Sequence, residues 1–321
     1  MKALVYTDAL KLDTAWPDPQ PADGEVLVAP TLAGICATDL EIVKGYMHFT
    51  GVLGHECVGH VVAGPSAWQG RRVVVEINCV CGTCEMCQAG LSNHCRRRTV
   101  LGIDGRDGVF AERVAVPERN LHAVPDAVSD RQAVFVEPLA AAFQVVKQCP
   151  VEKRTRVAVV GAGRLGLLVA QVLQQTGADL EVVGRNERSL AFCERHGIRA
   201  TSVAEFSPRP DKDLVVECSG SPTGFELAVR MLRPRGRLVL KSTYAGGAPI
   251  DLAPVVVHEL QVVGSRCGPF ADAINALARG QIDVETMISR EWPLERGVEA
   301  IQAAGDPRYL KVLLTINAPT G

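Results

Sequence analysis

The first third of the chain alternates short apolar runs with glycine, proline and polar breaks. Runs of this length, rich in valine and bounded by turn residues, predict the strands of a compact, mostly antiparallel domain. These strands are predicted at residues 25–29, 59–62, 72–75 and 111–116. A helix is predicted after them, at about residues 130–148, with Ser129 capping its first turn.

The pattern changes at residue 156, where buried-looking strands begin to alternate with helical segments. This alternation is typical of an α/β fold with a doubly wound parallel sheet. The strands are predicted at residues 157–160, 181–183, 214–217, 237–240 and 260–263. Near the end of the chain, a further helix is followed by an apolar run at 309–316, which can return to the first domain.

Composition and charge narrow the class of protein. With 47% hydrophobic and 22% charged residues, the chain is globular and is neither disordered nor collagen-like. Its net charge of −2 provides no field that would attract nucleic acid or an anionic membrane. The N-terminus lacks the apolar core of a signal peptide, and no apolar run is long enough to span a membrane. We therefore expect a cytoplasmic protein with a small-molecule partner.

A glycine-rich loop follows the first strand of the predicted parallel sheet. It reads Gly161-Ala162-Gly163-Arg164-Leu165-Gly166 and leads into a helical run. Glycines at such a turn let the backbone approach a pyrophosphate, and the N-terminus of the next helix offers N–H groups to it. Because the loop lies within a strand–helix series, we interpret it as a dinucleotide site rather than a plain tight turn. The expected contacts are Gly161, Gly163, Arg164, Leu165 and Gly166.

The end of the next strand indicates which dinucleotide is bound. NAD-specific folds place an acidic residue there, which binds the ribose hydroxyls. This chain has Gly184 and Arg185 at that point, with Asn186 and Arg188 close by. Since arginines can pair with a 2′-phosphate, the sequence favours NADP, with NAD as the alternative if both arginines only decorate a solvated loop.

Four of the eleven cysteines form the pattern C-x2-C-x2-C-x7-C at Cys81, Cys84, Cys87 and Cys95. Four thiolates can complete the tetrahedral shell of a zinc ion and leave no open position, which predicts a structural site. The spacing also suits an iron–sulfur cluster, but nothing nearby suggests an electron-transfer partner. Cys79, two residues upstream, is interpreted as a buried thiol.

A second group of metal-binding residue types is spread along the chain. Cys36, Thr38 and Asp39 lie within four positions, and His55 and Glu56 follow. A further acid, Glu137, heads the predicted helix. None of these residues is diagnostic by itself, because an isolated His-Glu pair is more often a surface hydrogen-bonding pair than a set of ligands.

Taken together, five ordered motifs resemble the zinc-containing medium-chain dehydrogenase/reductases, closest to the sorbitol and threonine dehydrogenase branch. They are Gly-Ile-Cys-x-Thr-Asp, Gly-His-Glu-x-x-Gly, the four-cysteine loop, Glu-Pro-Leu-Ala and Gly-Ala-Gly-x-x-Gly. The resemblance covers essentially the whole chain. It implies a GroES-like catalytic domain at residues 1–148, a Rossmann cofactor domain at 149–267 and a segment at 268–321 that returns to the catalytic domain.

The resemblance also implies roles for individual residues. Cys36 and His55 would be ligands of a catalytic zinc, completed by Glu56 and Glu137, one of them directly and the other directly or through water. Thr38 would begin a proton relay, and Asp39 would orient His55. Ser265 and Arg266 would contact the cofactor. The implied reaction is hydride transfer between a nicotinamide cofactor and an alcohol whose oxygen the zinc acidifies.

Two features depart from the family pattern. Glu41 stands where several relatives carry a relay histidine, so Glu41 or His48 would have to carry the proton onward. The loop between Cys36 and His55 is also shorter than in many members, which would reshape the mouth of the substrate pocket.

The sequence therefore favours a zinc-dependent, NADP-preferring dehydrogenase of primary or secondary alcohols or polyols, with one catalytic and one structural zinc. Two alternatives stay open: a threonine-dehydrogenase-like enzyme acting on an amino alcohol or hydroxy acid, and a non-catalytic dinucleotide-binding redox sensor. The family resemblance further implies a homodimer or homotetramer.

Overall fold

A computed structural model describes residues 1–243 and 250–318. The chain divides into two compact units, one formed by Met1–Glu137 and Phe270–Gly321, the other by Pro138–Pro269. The predicted domain limits of 148/149 and 267/268 lie eleven residues after and two residues before the corresponding limits of this division. Within the described residues, no helix is both long and apolar enough to span a bilayer.

The strands are, in chain order, β1 (Ala3–Tyr6), β2 (Leu10–Asp13), β3 (Glu25–Gly34), β4 (Gly51–Val52), β5 (Glu56–Ala63), β6 (Arg72–Val75), β7 (Asn78–Cys79), β8 (Thr99–Leu101), β9 (Gly105–Arg106), β10 (Val114–Pro117), β11 (Leu121–Ala123), β12 (Arg156–Val160), β13 (Asp179–Gly184), β14 (Arg199–Ser202), β15 (Lys212–Glu217), β16 (Leu232–Leu240), β17 (Gln261–Gly264), β18 (Ile288–Pro293) and β19 (Lys311–Thr315). The α-helices are α1 (Ala37–Val43), α2 (Glu85–Gln88), α3 (Asp130–Ala133), α4 (Val136–Gln148), α5 (Arg164–Gln174), α6 (Glu187–Arg195), α7 (Pro222–Met231), α8 (Ala253–Val257), α9 (Phe270–Ala278) and α10 (Gly297–Ala304). Short 3-10 helices occupy Tyr46–His48, Ser92–His94, Glu118–Asn120, Glu285–Met287 and Leu294–Arg296.

The first unit is built on a sheet with the strand order β11-β6-β5-β3-β19-β18, in which β10 also pairs with β3. Strand β19 lies antiparallel to β3, with Leu313 opposite Gly34. The predicted return of the C-terminal segment to the first domain is therefore confirmed. Strand β3 is longer than predicted, because its second half is buried between β5 and β19 and continues as far as Gly34.

The second unit contains a parallel sheet whose order, within the part of the chain described, is β14-β13-β12-β15-β16-β17. In order along the unit this is 3-2-1-4-5-6, the arrangement of dinucleotide-binding folds. The predicted doubly wound sheet is confirmed. The sequence missed β14, because its residues Arg-Ala-Thr-Ser form a partly exposed edge strand without an apolar run.

The helix predicted at 130–148 is interrupted. Ser129 caps α3 as expected: its hydroxyl accepts a hydrogen bond from the backbone N–H of Gln132, whose side chain binds the Ser129 N–H in return. A turn at residues 134–135 separates α3 from α4. The side chain of Phe135, in this turn, is fully buried. The cap prediction is confirmed, but the single helix is replaced by two.

Candidate metal centres and cofactor loop

The four-cysteine loop brings its thiols together as the sequence predicts. The ligand atoms of Cys81, Cys84, Cys87 and Cys95 lie within 4.8 Å of one another. The Sγ–Sγ distances are 3.6 Å for Cys84–Cys87, 3.7 Å for Cys84–Cys95 and 3.5 Å for Cys95–Cys81. A zinc tetrahedron with bonds of about 2.3 Å has edges of about 3.8 Å, so the four sulfurs fit zinc closely.

The surroundings of the thiols differ within this loop: backbone hydrogen bonds lower the pKa of Cys84, whereas burial raises the pKa of Cys87 to about 12. Backbone N–H groups of Thr83 and Cys84 donate hydrogen bonds to Cys81 and lower the pKa of its thiol to about 5. Burial has the opposite effect on the neighbouring Cys79, whose pKa rises to about 11. Because metals bind the thiolate form, Cys81 suits a ligand and Cys79 an inert core thiol.

Cys36 and Asp39 are placed by the start of helix α1. Cys36 follows β3 and is the residue preceding the first turn of α1. Asp39 lies in that turn, where its Oδ2 accepts a hydrogen bond of 2.8 Å from the Cys36 backbone N–H. Asp39 is fully buried. The carboxylate therefore fixes the backbone that carries the thiol.

The same carboxylate faces the imidazole of His55. Asp39 Oδ1 lies 3.2 Å from His55 Nδ1, and both side chains are buried. This leaves Nε2 as the nitrogen available to a metal, and it matches the orienting role predicted for Asp39. Burial lowers the pKa of His55, but Asp39 and Cys36 together raise it well above its ordinary value. A metal that binds the neutral imidazole must therefore displace this proton.

His55 and Glu56 stand at the start of strand β5, after a turn that requires glycine. Gly54 has φ +93°, and a Cβ there would lie 2.2 Å from the Phe110 ring. Cys36, His55 and Glu56 each offer a ligand atom, and these atoms lie within 4.8 Å of one another. A group of one half-buried thiol, one buried imidazole and one buried carboxylate fits zinc, and three such ligands would leave a fourth position for an oxygen ligand.

Of the other residues predicted for this centre, one lies next to the three ligand residues and the rest are not among them. The Thr38 hydroxyl is 3.8 Å from Cys36 Sγ, next to the ligand group. Glu137 is half-buried at the start of α4 and is not among the three mutually close ligands, so its role stays a prediction. Glu41 forms an ion pair of 2.7 Å with Lys44, and His48 is exposed.

One residue of this centre escaped the sequence analysis. The ammonium of Lys311, in β19, forms an ion pair with Glu56 and donates a hydrogen bond of 3.2 Å to the backbone carbonyl of Ile35. Its only trace in the sequence is a single charge within the apolar run at 309–316, which also suits a lysine at an exposed strand position.

In the second unit, the glycine loop has the geometry of a phosphate cradle. Gly161 has φ +103°, and a Cβ at Gly166 would lie 1.8 Å from the Gly161 carbonyl oxygen. A Cβ at Gly163, which precedes the first turn of α5, would meet no atom within 4 Å. Two of the glycines therefore permit tight packing, and the third faces open space at a helix N-terminus, which suits a pyrophosphate.

The residues predicted to determine the preference for NADP over NAD follow strand β13. Arg185 and Arg188 are exposed, whereas Asn186 caps α6 by accepting a 3.2 Å hydrogen bond from Ser189 N–H. Glu181 lies within the strand and pairs with Lys212 at 2.8 Å. This acid within the strand is therefore already engaged in an ion pair.

Ser265 and Arg266 lie at the carboxyl end of the same sheet. Lys241, which follows β16, donates hydrogen bonds to the backbone carbonyl of Arg266 at 2.9 Å and to the hydroxyl of Ser265 at 3.3 Å. Its third bond, of 2.8 Å, reaches the carbonyl of Ala141 in α4. The cofactor contacts predicted for Ser265 and Arg266 stay predictions.

Comparison with known families identifies both units. Residues 22–126 match the family described as alcohol dehydrogenase GroES-like domain, and residues 165–280 match the zinc-binding dehydrogenase family. The predicted GroES-like and Rossmann domains are thus confirmed.

Individual proteins match over most of the chain. The chain is 31% identical to a 2-dehydro-3-deoxy-L-galactonate 5-dehydrogenase of Pseudoalteromonas atlantica, over 93% of both chains. It is 29% identical to a sorbitol dehydrogenase of Halalkalibacterium halodurans, over 93% of this chain and 94% of that one.

Two solved structures have the same fold over nearly the whole chain. One is an alcohol dehydrogenase from Escherichia coli CFT073 complexed with NADH, with TM-score 0.87 and 28% identity, covering 98% of this chain and 99% of that one. The other is a zinc-binding dehydrogenase from Sinorhizobium meliloti 1021 bound to NADP, with TM-score 0.86 and 29% identity, covering 98% of both chains.

The two metal centres can be counted separately. We expect about two zinc atoms per chain in the wild type and about one in either Cys95→Ser or Cys36→Ala, because each variant removes a ligand from a different centre. Cys79→Ser should retain about two, since this thiol belongs to neither group. Elemental analysis of the purified proteins gives the count. One zinc atom in both the wild type and Cys36→Ala would contradict the second centre.

Proposed function

Because the chain belongs to the zinc-containing medium-chain dehydrogenase/reductase family, we propose that it is a zinc-dependent alcohol or polyol dehydrogenase. It transfers hydride between a nicotinamide cofactor and a primary or secondary alcohol or its carbonyl product. The observation that carries this proposal is the group of Cys36, His55 and Glu56, whose ligand atoms lie within 4.8 Å of one another. Three protein ligands would leave a bound zinc ion one open position.

The residues around this group have defined tasks in the proposed reaction. When bound, zinc supplies a Lewis acid at the substrate oxygen, and the nicotinamide accepts or donates the hydride. Cys36, His55 and Glu56 hold the metal, and Asp39 keeps His55 in the tautomer whose Nε2 is free. Thr38, beside Cys36, would accept the proton of the substrate hydroxyl while it passes its own hydroxyl proton onward towards solvent.

The relatives suggest a polyhydroxylated substrate. Two relatives that match 93% of this chain are a sorbitol dehydrogenase and a 2-dehydro-3-deoxy-L-galactonate 5-dehydrogenase, which acts on a sugar acid. We therefore place polyols and sugar acids first in a substrate screen. Amino alcohols such as threonine form the second group, because the same branch of the family includes them. A non-catalytic sensor is disfavoured, since it would have no use for an open metal position.

Activity with a panel of alcohols, polyols and sugar acids tests this function. We expect Cys36→Ala to lower kcat/KM about a thousandfold, because a metal that polarises the substrate contributes several kcal/mol to the transition state. Cys79→Ala is the matched control and should keep wild-type rates. The measurement is cofactor reduction followed by absorbance. Equal rates in Cys36→Ala and the wild type would exclude this centre from the reaction.

We also propose that NADP is the preferred cofactor. Two exposed arginines, Arg185 and Arg188, follow the strand that carries the ribose-binding acid in NAD-specific folds. Glu181, the carboxylate inside this strand, is occupied by Lys212. Guanidinium groups form strong bonds with phosphate, so this loop suits the 2′-phosphate of NADP better than the hydroxyl of NAD.

Replacing both arginines by glutamine should weaken NADP binding at least about tenfold and leave NAD binding unchanged. A hydrogen bond to a charged group contributes about 1.5–3 kcal/mol, and only NADP has the phosphate. Arg195→Gln, at the far end of α6, is the matched control. Calorimetric titration with each cofactor gives the affinities. Tighter binding of NAD than of NADP by the wild type would show that the arginines do not select the cofactor.

We propose that the chain forms a homo-oligomer, at least a dimer, through strand β17. This strand forms one edge of the parallel sheet. Beside it, Val256 and Val257 are 75% and 73% exposed, and Val262 is 44% exposed. An edge strand flanked by exposed valines can pair with the same strand of a second copy.

The double variant Val257→Asp/Val262→Asp should be monomeric, because it places buried charges at the proposed interface. Val203→Asp, next to the opposite edge strand β14, is the control and should keep the wild-type assembly. Light scattering after size-exclusion chromatography gives the mass. A monomeric wild type, or an unchanged mass in the double variant, would contradict this interface.

A further inference from the structure

Lys311 is a charged residue in a place that normally excludes charge. Its side chain is only 2% exposed, and its ammonium lies 5.5 Å from the centre of the Phe135 ring. Its polar contacts are the Glu56 carboxylate and the backbone carbonyl of Ile35. An isolated ammonium in such a setting is very costly, so the lysine depends on Glu56.

The backbone makes room for this pair at Gly34. This glycine lies in β3, opposite Glu56 in β5 and Leu313 in β19. A Cβ at Gly34 would lie 2.3 Å from Glu56 Oε2 and 2.9 Å from Lys311 Nζ. The conformation of Gly34 is accessible to any residue, so only the space occupied by the ion pair requires glycine here.

Glu56 therefore has two cationic partners available. One carboxylate oxygen is bound by Lys311, while the same side chain is one of the three mutually close ligands with Cys36 and His55. We infer that Lys311 is a positioning residue that competes with the bound metal for the Glu56 carboxylate. This inference rests on the proposed function, because it requires a metal at Cys36 and His55.

The competition has a defined direction. The ammonium of Lys311 partly neutralises the negative charge of the Glu56 carboxylate and restrains one of its oxygens. It therefore weakens the hold of Glu56 on the metal and keeps the fourth position open to substrate. By linkage, removing Lys311 must strengthen metal binding if the lysine acts in this way. A lysine that served only the fold would leave metal affinity unchanged or reduce it.

The test uses the full-length protein after a chelator has removed the metal from the Cys36 centre and left the four-cysteine loop loaded. Co²⁺ is then titrated, and its visible absorption bands report both affinity and coordination. The variants are Lys311→Met, Lys311→Arg, Glu56→Gln and the double variant Lys311→Met/Glu56→Gln. Lys2→Met is the control, because Lys2 also pairs with a glutamate, Glu295 at 2.5 Å, but at the surface.

We expect Lys311→Met to bind Co²⁺ about tenfold more tightly than the wild type and to change the absorption bands, because both carboxylate oxygens become available. Lys311→Arg should restore the wild-type affinity and spectrum. In the Glu56→Gln background, Lys311→Met should change nothing further, because the lysine acts only through Glu56. Lys2→Met should match the wild type.

Unchanged or weaker binding in Lys311→Met overturns the inference, as does tighter binding that persists in the Glu56→Gln background. If metal-free Lys311→Met is unfolded, its refolding is followed by circular dichroism during the Co²⁺ titration. Refolding at a lower Co²⁺ concentration than the wild type needs to fill its site supports competition. A variant that stays unfolded overturns the inference. A wild type that binds no Co²⁺ at Cys36 refutes the proposed function itself. A wild type that binds Co²⁺ and oxidises alcohols, beside an unaffected Lys311→Met, refutes only the role of Lys311.

Discussion

Strand β3 is the constraint on which the metal centre of the first unit depends. Its backbone pairs with β5 on one side and with β10 and β19 on the other. This pairing brings together residues that are far apart in the chain: Cys36 just beyond the end of β3, Glu56 at the start of β5 and Lys311 at the start of β19. A shift of one residue in either pairing would turn Glu56 or Lys311 to the other face of the sheet and dismantle the group.

Burial strengthens the electrostatic interactions among the charged side chains around this metal centre. Asp39, His55, Glu56 and Lys311 are all buried, and each has at least one opposite charge or metal-binding partner within the group. In such surroundings an unpaired charge is far more costly than at the surface, so these side chains stabilise one another as a set. A metal ion bound by this set would therefore change the electrostatic interactions of its ligands and of the side chains that contact them.

The cysteines show how local structure decides chemistry for one residue type. Cys81 receives backbone N–H bonds in an exposed loop, and its pKa falls to about 5. Cys57, next to Glu56, is buried among apolar groups, and its pKa rises to about 12. Only the first environment stabilises a thiolate.

The sequence by itself determined the fold class, the glycine-rich loop and the cluster of four cysteines, and it placed Cys36, His55 and Glu56 among the residues of one predicted metal centre. The fold class follows from the periodicity of apolar residues, and the glycine-rich loop and the four-cysteine cluster follow from short motifs, whereas Cys36 and Glu56 meet only through the pairing of β3 with β5. Tertiary structure alone decided the partner of Glu56 and the need for glycine at position 34. Lys311 follows Glu56 by 255 positions, and only the pairing of β19 with β3 places its ammonium on the carboxylate. No local sequence pattern predicts such a contact, because it depends on the register in which distant strands of the unit pair.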